Sequence, residues 1–252
     1  MSTISQNTQT KSLDVGRIDS LPRAKLIELT KILDEIDRRK RQNHIATLFP
    51  DDGPLARAGY TKHLEFFEQG NKYRERLFIA GNRVGKTIVG GYETSVHLTG
   101  LYPGWWTGRR FDEPVRWWVA GDTGETVRDI IQLELFGPID DIGTGLIPGK
   151  QIIGSPTRRS GVPDAIQSAR IRHISGGVST IGLKSYDQKR KSFQGTGRHG
   201  IWLDEECDMG IYTECLLRTM TTNGLMILTF TPLKGISDVV KAFLPGGKLK
   251  ND

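Results

Sequence analysis

The 252-residue sequence predicts a three-layer α/β fold around a mainly parallel central sheet, and three features of the chain predict it. Short apolar runs at 77–80, 115–120, 171–174, 180–183, 201–203 and 225–230 read as strands, several of them apolar on both faces, as strands covered by helices on two sides are. Polar, helix-like stretches at 87–98, 125–136 and 207–220 alternate with them, the pattern of parallel strands joined by crossovers. The first strand turns through a glycine-containing loop directly into the first of those helices. With 37% apolar and 25% charged residues, the chain suffices for one large domain and an appended segment.

Residues 1–19 are expected to be a disordered, Ser/Thr/Gln/Asn-rich lead-in, and 20–58 a helical N-terminal segment. Ser20 is the expected cap of a helix whose apolar positions Leu21, Ile27, Leu29, Ile32, Leu33 and Ile36 recur near helical spacing. That helix ends in Arg38-Arg39-Lys40-Arg41, a run that complements the negative helix C-terminus in solvent or, alternatively, touches DNA or a partner. After Pro50-Asp51-Asp52-Gly53-Pro54 comes a second short helix containing Leu64, Phe66 and Phe67, and the domain proper spans 59–240. The segment 137–161, rich in Gly, Pro, Ser and Arg without clear periodicity, reads as a long excursion from the sheet.

Thirty-five Lys and Arg against 29 Asp and Glu give a formal charge of +6, which suits transient contact with a polyanion and equally an ordinary basic protein. Cys207 and Cys215 have neither the spacing nor the neighbours of a zinc knuckle or a disulfide framework. The N-terminus lacks a basic stretch followed by an apolar one, and no apolar run approaches the roughly 18 residues of a membrane span, so a soluble protein without membrane contact is expected.

The sharpest motif is Leu77-Phe78-Ile79-Ala80-Gly81-Asn82-Arg83-Val84-Gly85-Lys86-Thr87. In a P-loop, backbone N–H groups of the loop and the helix N-terminus face phosphates, the lysine reaches the β and γ oxygens, and the hydroxyl ligates Mg²⁺. Gly81, Asn82, Arg83, Val84, Gly85, Lys86 and Thr87 are therefore the nucleotide-binding candidates. The pattern is offset: Ala80 stands where the strict motif has its first glycine, and the glycine follows at 81.

The second motif is Ile201-Trp202-Leu203-Asp204-Glu205-Glu206, an apolar strand running into acids. At such a strand end one carboxylate, Asp204, can stand in the Mg²⁺ shell, and the next, Glu205, can take a proton from the attacking water. The third is Leu225-Met226-Ile227-Leu228-Thr229-Phe230-Thr231-Pro232, a buried-type strand whose hydroxyls at its tip could sense the γ-phosphate.

Taken together, in this order and at this spacing, the three motifs resemble the ATPase domain of the large terminase subunits of tailed bacteriophages, over about residues 60–240. The resemblance implies a P-loop NTPase of the RecA/ASCE-like type, with ATP and Mg²⁺ as cofactors, Lys86 and Thr87 binding them, Asp204 holding the metal, Glu205 activating water, and Thr229 and Thr231 coupling hydrolysis to movement. It implies double-stranded DNA, the portal protein of the procapsid and the terminase small subunit as partners. It also implies a ring, commonly pentameric, assembled on the portal in the host cytoplasm, and leaves the isolated chain either monomeric or self-associated. An arginine completes such sites in cis or in trans; Arg83 is the local candidate, with Arg128, Arg158 and Arg198 as alternatives. Tyr60, Phe67 and Gln69 are candidates for contact with the adenine, whereas Trp105-Trp106 and Trp117-Trp118 suit core or interface packing better than base stacking. The family carries a nuclease domain after this one, so 241–252 reads as the start of a linker and no nuclease activity is expected of these residues. A helicase-like RecA-type ATPase and a nucleotide-dependent switch are the competing readings.

Overall fold

The computed structural model describes residues 22–232 and 235–244. Ser20, Leu21, the expected lead-in and the last eight residues lie outside them. The chain divides into two units, Met1–Lys40 and Arg41–Asp252. In the first, helix α1 (Arg23–Arg41) buries no residue, and Ile27, Ile32, Leu33 and Ile36 are all exposed. Glu35 accepts from both Arg38 and Arg39 one turn on, so part of the basic run is neutralised within the helix itself. No helix among the described residues is long and apolar enough to cross a membrane.

The second unit holds a seven-stranded sheet in the order β1-β7-β6-β2-β5-β4-β3. Its strands are β1 (Glu75–Ile79), β2 (Arg116–Gly121), β3 (Thr157–Arg158), β4 (Ile166–Arg172), β5 (Val178–Ser185), β6 (Gly200–Asp204) and β7 (Leu225–Phe230). The pairs from β1 through to β5 are parallel, and β4 and β3 add on antiparallel. β6 and β7 are buried at every residue because helices cover both faces there, whereas β4 and β5 alternate buried with exposed residues, as strands with one open face do.

Helices α2 (Thr61–Glu68) and α3 (Lys86–Thr99) flank the parallel part, together with α4, made of the consecutive pieces Gly124–Thr126, the π-helical Val127–Gln132 and Leu133–Phe136. On one side of the sheet Val89, Tyr92 and Val96 of α3 pack with Trp117, Trp202 and Ile227. On the other, α5 (Met209–Met220) and α6 (Asp238–Phe243) pack Ile211, Cys215, Val239 and Val240 against Trp118, Ile201, Leu203, Met226 and Leu228. Each such large apolar side chain contributes roughly 1.5–3 kcal/mol on burial. Phe49 and Ile45, from the segment before α2, belong to the first cluster, as do Trp106 and Trp117, with Trp105 partly buried against it; Trp118 belongs to the second.

One expectation needs correction. The strand expected at 171–174 ends at Arg172 and begins at Ile166; its buried positions Ile166, Ala169 and Ile171 are separated by the polar Gln167 and Ser168 and by Arg170, the pattern of a half-exposed antiparallel strand, and Ile174 falls in the turn beyond it. The excursion 137–161 is pinned down: Leu146 and Ile147 are fully buried, and their N–H groups donate to Glu134 O and Leu135 O on α4.

Because β1, β7, β6, β2 and β5 are parallel, their C-terminal ends share one edge. Residues 80–85, 231, 204–205, 122 and 186 follow those ends, and ligand sites in open parallel sheets lie outside that edge.

Candidate active site

β1 delivers the chain into the loop at 80–85, and α3 starts at Lys86. Gly85, the residue before the helix, has φ +82°, and a Cβ there would meet His63 Nε2 at 2.9 Å, so backbone conformation and space both require glycine. Arg83 is also left-handed at φ +63°. Residues 81–84 are exposed, whereas Lys86 is buried and its Nζ donates to Gly81 O at 2.7 Å, closing the loop on itself. The helix N-terminus leaves N–H groups without intrahelical partners facing the same space, the ordinary anion site of such a turn. A Cβ at Gly81 would meet nothing within 4 Å, so the glycine of the offset motif serves no packing need inside this chain.

β6 ends at Asp204, paired in register with Thr229 of β7. Trp202 Nε1, which can only donate, stands 2.7 Å from Thr229 Oγ1. The threonine proton is thereby directed to Asp204 Oδ1, also at 2.7 Å. All three side chains are buried, and burial pushes the Asp204 carboxyl up to about 7, against hydrogen bonds from Thr229 and Thr87 and the charge of Lys86. Thr87 and Lys86 of the P-loop thus lie beside Asp204 of β6. A hydroxyl and one carboxylate make a hard, all-oxygen donor set, which fits Mg²⁺ held by few protein ligands, with phosphates and water completing its shell.

Glu205 follows in an exposed turn at φ +65°, a conformation that costs a non-glycine residue about 1–2 kcal/mol. Its N–H donates to Thr229 O at 2.9 Å. Partial burial raises its carboxyl above the ordinary glutamate range, Lys86 lowers it, and Asp122 at the end of β2 raises it again. A carboxylate so placed, near a lysine and at the strand tip, is suited to accept a proton.

Thr229 and Thr231, two residues apart on an extended segment, fall on the same side of the sheet. Thr229 reaches β6, while Thr231 Oγ1 stands 3.0 Å from both Ala80 O and Asn82 Oδ1 in the P-loop. β7 therefore touches the acid strand with one hydroxyl and the phosphate loop with the next.

The arginines separate. Arg83 is exposed on the P-loop and lines a pocket of about 420 Å³ with Tyr60, His63, Val84 and Gly85. Arg128 is engaged by Asp129 and Pro163 O, and Arg158 by Asp164 O. Arg198 lies over the Trp118 ring before the start of β6; six positions (204 − 198) at about 3.3 Å each put it roughly 20 Å from Asp204, at the opposite end of the strand. Of the adenine candidates, Tyr60 lines the pocket beside Arg83, and Gln69 lines a groove of about 560 Å³ along the free edge of β1, with Phe78 and Val84. Phe67 is 1% exposed and packs on Tyr92 and Trp106, so core packing accounts for it.

Sequence reasoning passed over three groups. His63 lies under Gly85, with Nε2 buried and without a hydrogen-bond partner among the described residues. Tyr186, just after β5, places its hydroxyl against the main chain of Asp204 and Glu205. Beneath the P-loop helix, Arg76 of β1 makes a two-pronged ion pair with Glu93 of α3, at 2.5 and 3.1 Å, and His97 Nε2 lies 3.3 Å from the same carboxylate, all of it buried. Only the His97-to-Glu93 spacing, one helical turn, could have signalled any of these.

The family described as terminase large subunit, T4likevirus-type, N-terminal, matches residues 77–249. The terminase large subunit of Salmonella phage P22 is 38% identical over 247 residues, which cover 90% of this chain and 48% of that protein, so the chain spans about half the length of this curated relative. Among solved structures, the large terminase ATPase domain of Thermus phage P74-26 gives a TM-score of 0.47 at 15% identity over 77% of this chain and 76% of that one. The large terminase of a thermophilic bacteriophage, in complex with ADP, gives 0.47 at 14% identity over 68% of this chain and 37% of that one. With a P-loop, a buried aspartate beside it and a family match across more than half its length, the chain belongs to the N-terminal part of the terminase large subunit family.

Proposed function

We propose that this chain hydrolyses ATP to ADP and phosphate as the motor part of a DNA-packaging terminase, coupling turnover to translocation of double-stranded DNA into a procapsid. The observation that carries the reading is the convergence of Lys86 and Thr87 with Asp204 at the strand tips, with Glu205 presented in the next position. Residues 81–87 bind the phosphates through main-chain N–H groups and Lys86. Thr87 and Asp204 hold Mg²⁺, which when bound neutralises phosphate charge. Glu205 orients a water and takes its proton. Thr229 and Thr231 join the acid strand to the P-loop through β7, so a change at either is felt by the other. Arg83 is the cis candidate for the charge that develops in the transition state.

The portal protein and the terminase small subunit are the expected partners, and a ring, commonly a pentamer, is the expected working assembly in the host cytoplasm. The P22 relative is itself named a large terminase subunit, and the net charge of +6 suits contact with DNA.

Steady-state ATP hydrolysis, measured over a series of protein concentrations with and without double-stranded DNA, tests the reading. Glu205→Ala is expected to lower kcat by roughly 10²–10⁴-fold while ATP still binds. Turnover indifferent to that substitution would remove Glu205 from the mechanism.

A further inference from the structure

The peptide that carries Glu205 is held from two sides. On one, the Glu205 N–H is tied to Thr229 O. On the other, the Tyr186 hydroxyl stands 2.9 Å from Asp204 O and 3.1 Å from Glu205 O, with Ala120 O of β2 at 3.4 Å. Carbonyl oxygens only accept, so the phenol is the donor, sharing its single proton chiefly between the two carbonyls that bracket the left-handed residue. The ring is 8% exposed and packs near Phe193. Its main chain is fixed as well: the N–H groups of Tyr186 and Asp187 both donate to Asp122 O at the end of β2.

We propose that Tyr186 is a positioning residue for hydrolysis, its phenol fixing the strained turn that presents the Glu205 carboxylate. This rests on the reading of Glu205 as the general base. A glutamate left to itself leaves the left-handed region, and the Thr229 bond restrains only the N–H side of the residue. The phenol supplies the restraint on the carbonyl side, through bonds to main-chain oxygens. It thus acts through Glu205.

Tyr186→Phe deletes the oxygen and keeps the ring volume. In the ATPase assay, its kcat is expected to fall about 10- to 100-fold, the loss typical of a reacting group misplaced by an ångström or so. KM and binding of a non-hydrolysable ATP analogue are expected to stay within about twofold, since the loss concerns the chemical step. Added to Glu205→Gln, Tyr186→Phe is expected to cause no further loss, the non-additivity of two groups acting as one. Amide hydrogen exchange across 203–208 reads the turn independently of turnover, and faster exchange is expected in Tyr186→Phe. A wild-type kcat in Tyr186→Phe, equal losses in both backgrounds, or unchanged exchange in the turn would overturn the proposal while leaving the base reading intact. Full activity in Glu205→Gln would instead overturn the base reading, and this proposal with it.

Discussion

On the P-loop side of the site, residues 81–84 are exposed, and the internal bonds of the loop are few: Lys86 to Gly81 O, and Thr231 to Ala80 O and Asn82. On the acid side, Asp204 is buried and receives a directed proton through Trp202 and Thr229, while the next peptide is bonded at both ends. The contrast is the one that the roles proposed for the two sides call for. A loop that wraps phosphates needs its N–H groups uncommitted, because the ligand satisfies them. A carboxylate that positions a metal or a water must hold its geometry before the ligand arrives, since small displacements weaken catalysis steeply. The exposed side is nevertheless fastened from below, where Arg76, Glu93 and His97 lock α3 to β1.

The largest stability effect is expected from that lower fastening. Glu93→Gln leaves Arg76 buried without its counter-charge and should cost about 3–5 kcal/mol in urea unfolding; a cost near zero would mean that the P-loop side does not depend on it. The same network gives a pH dependence. Burial would raise the Glu93 carboxyl, but Arg76 and His97 hold it below the usual range, so its stabilisation is present above the ordinary glutamate value and lost as pH falls through the lowered one. His97 is lowered by burial, as are the other four histidines, so the unfolded chain takes up protons that the folded one refuses once pH drops below about 6.5. Both contributions have the same sign, but the raised carboxyls of Glu134, Asp204 and Glu205 oppose them, so melting temperature is expected to fall more steeply from pH 7 toward pH 4 in Asp204→Asn, which removes one opposing group, than in the native chain.

Next is Thr229→Val on the acid side. It strands the Trp202 indole N–H in the core and removes a hydrogen bond that lowers the Asp204 carboxyl, with an expected cost of about 1–3 kcal/mol in the same unfolding assay and a higher Mg²⁺ requirement for turnover. The smallest effect should come from Thr231→Val, which touches the P-loop from a partly exposed position and should cost about 0.5–1.5 kcal/mol, with nucleotide affinity changed more than stability. If Thr231→Val proved the costlier of the two, the asymmetry between the sides would be wrong.

Much of this was legible in the sequence because it is local. The P-loop is one contiguous strand, turn and helix, so composition and order alone located residues 81–87, and an apolar run ending in acids marked Asp204 and Glu205 in the same way. The outlines of β7 and α3 followed from runs of apolar residues whose burial their type dictates. The tertiary structure alone decided which distant residues serve those motifs. Tyr186 lies 18 positions before Asp204 with nothing periodic to link them, and meets it because β2, lying between β5 and β6, brings the three tips together. Thr229 meets Trp202 and Asp204 because β7 pairs with β6 in one particular register, which no single strand encodes. Arg198, close to Asp204 in sequence, is carried to the far end of its strand. The sequence by itself determined which groups have the chemistry, since that resides in single residues and short motifs; the packing of the sheet decided which groups hold them in place, since a hydrogen-bond partner is set by distance in space and not by distance along the chain.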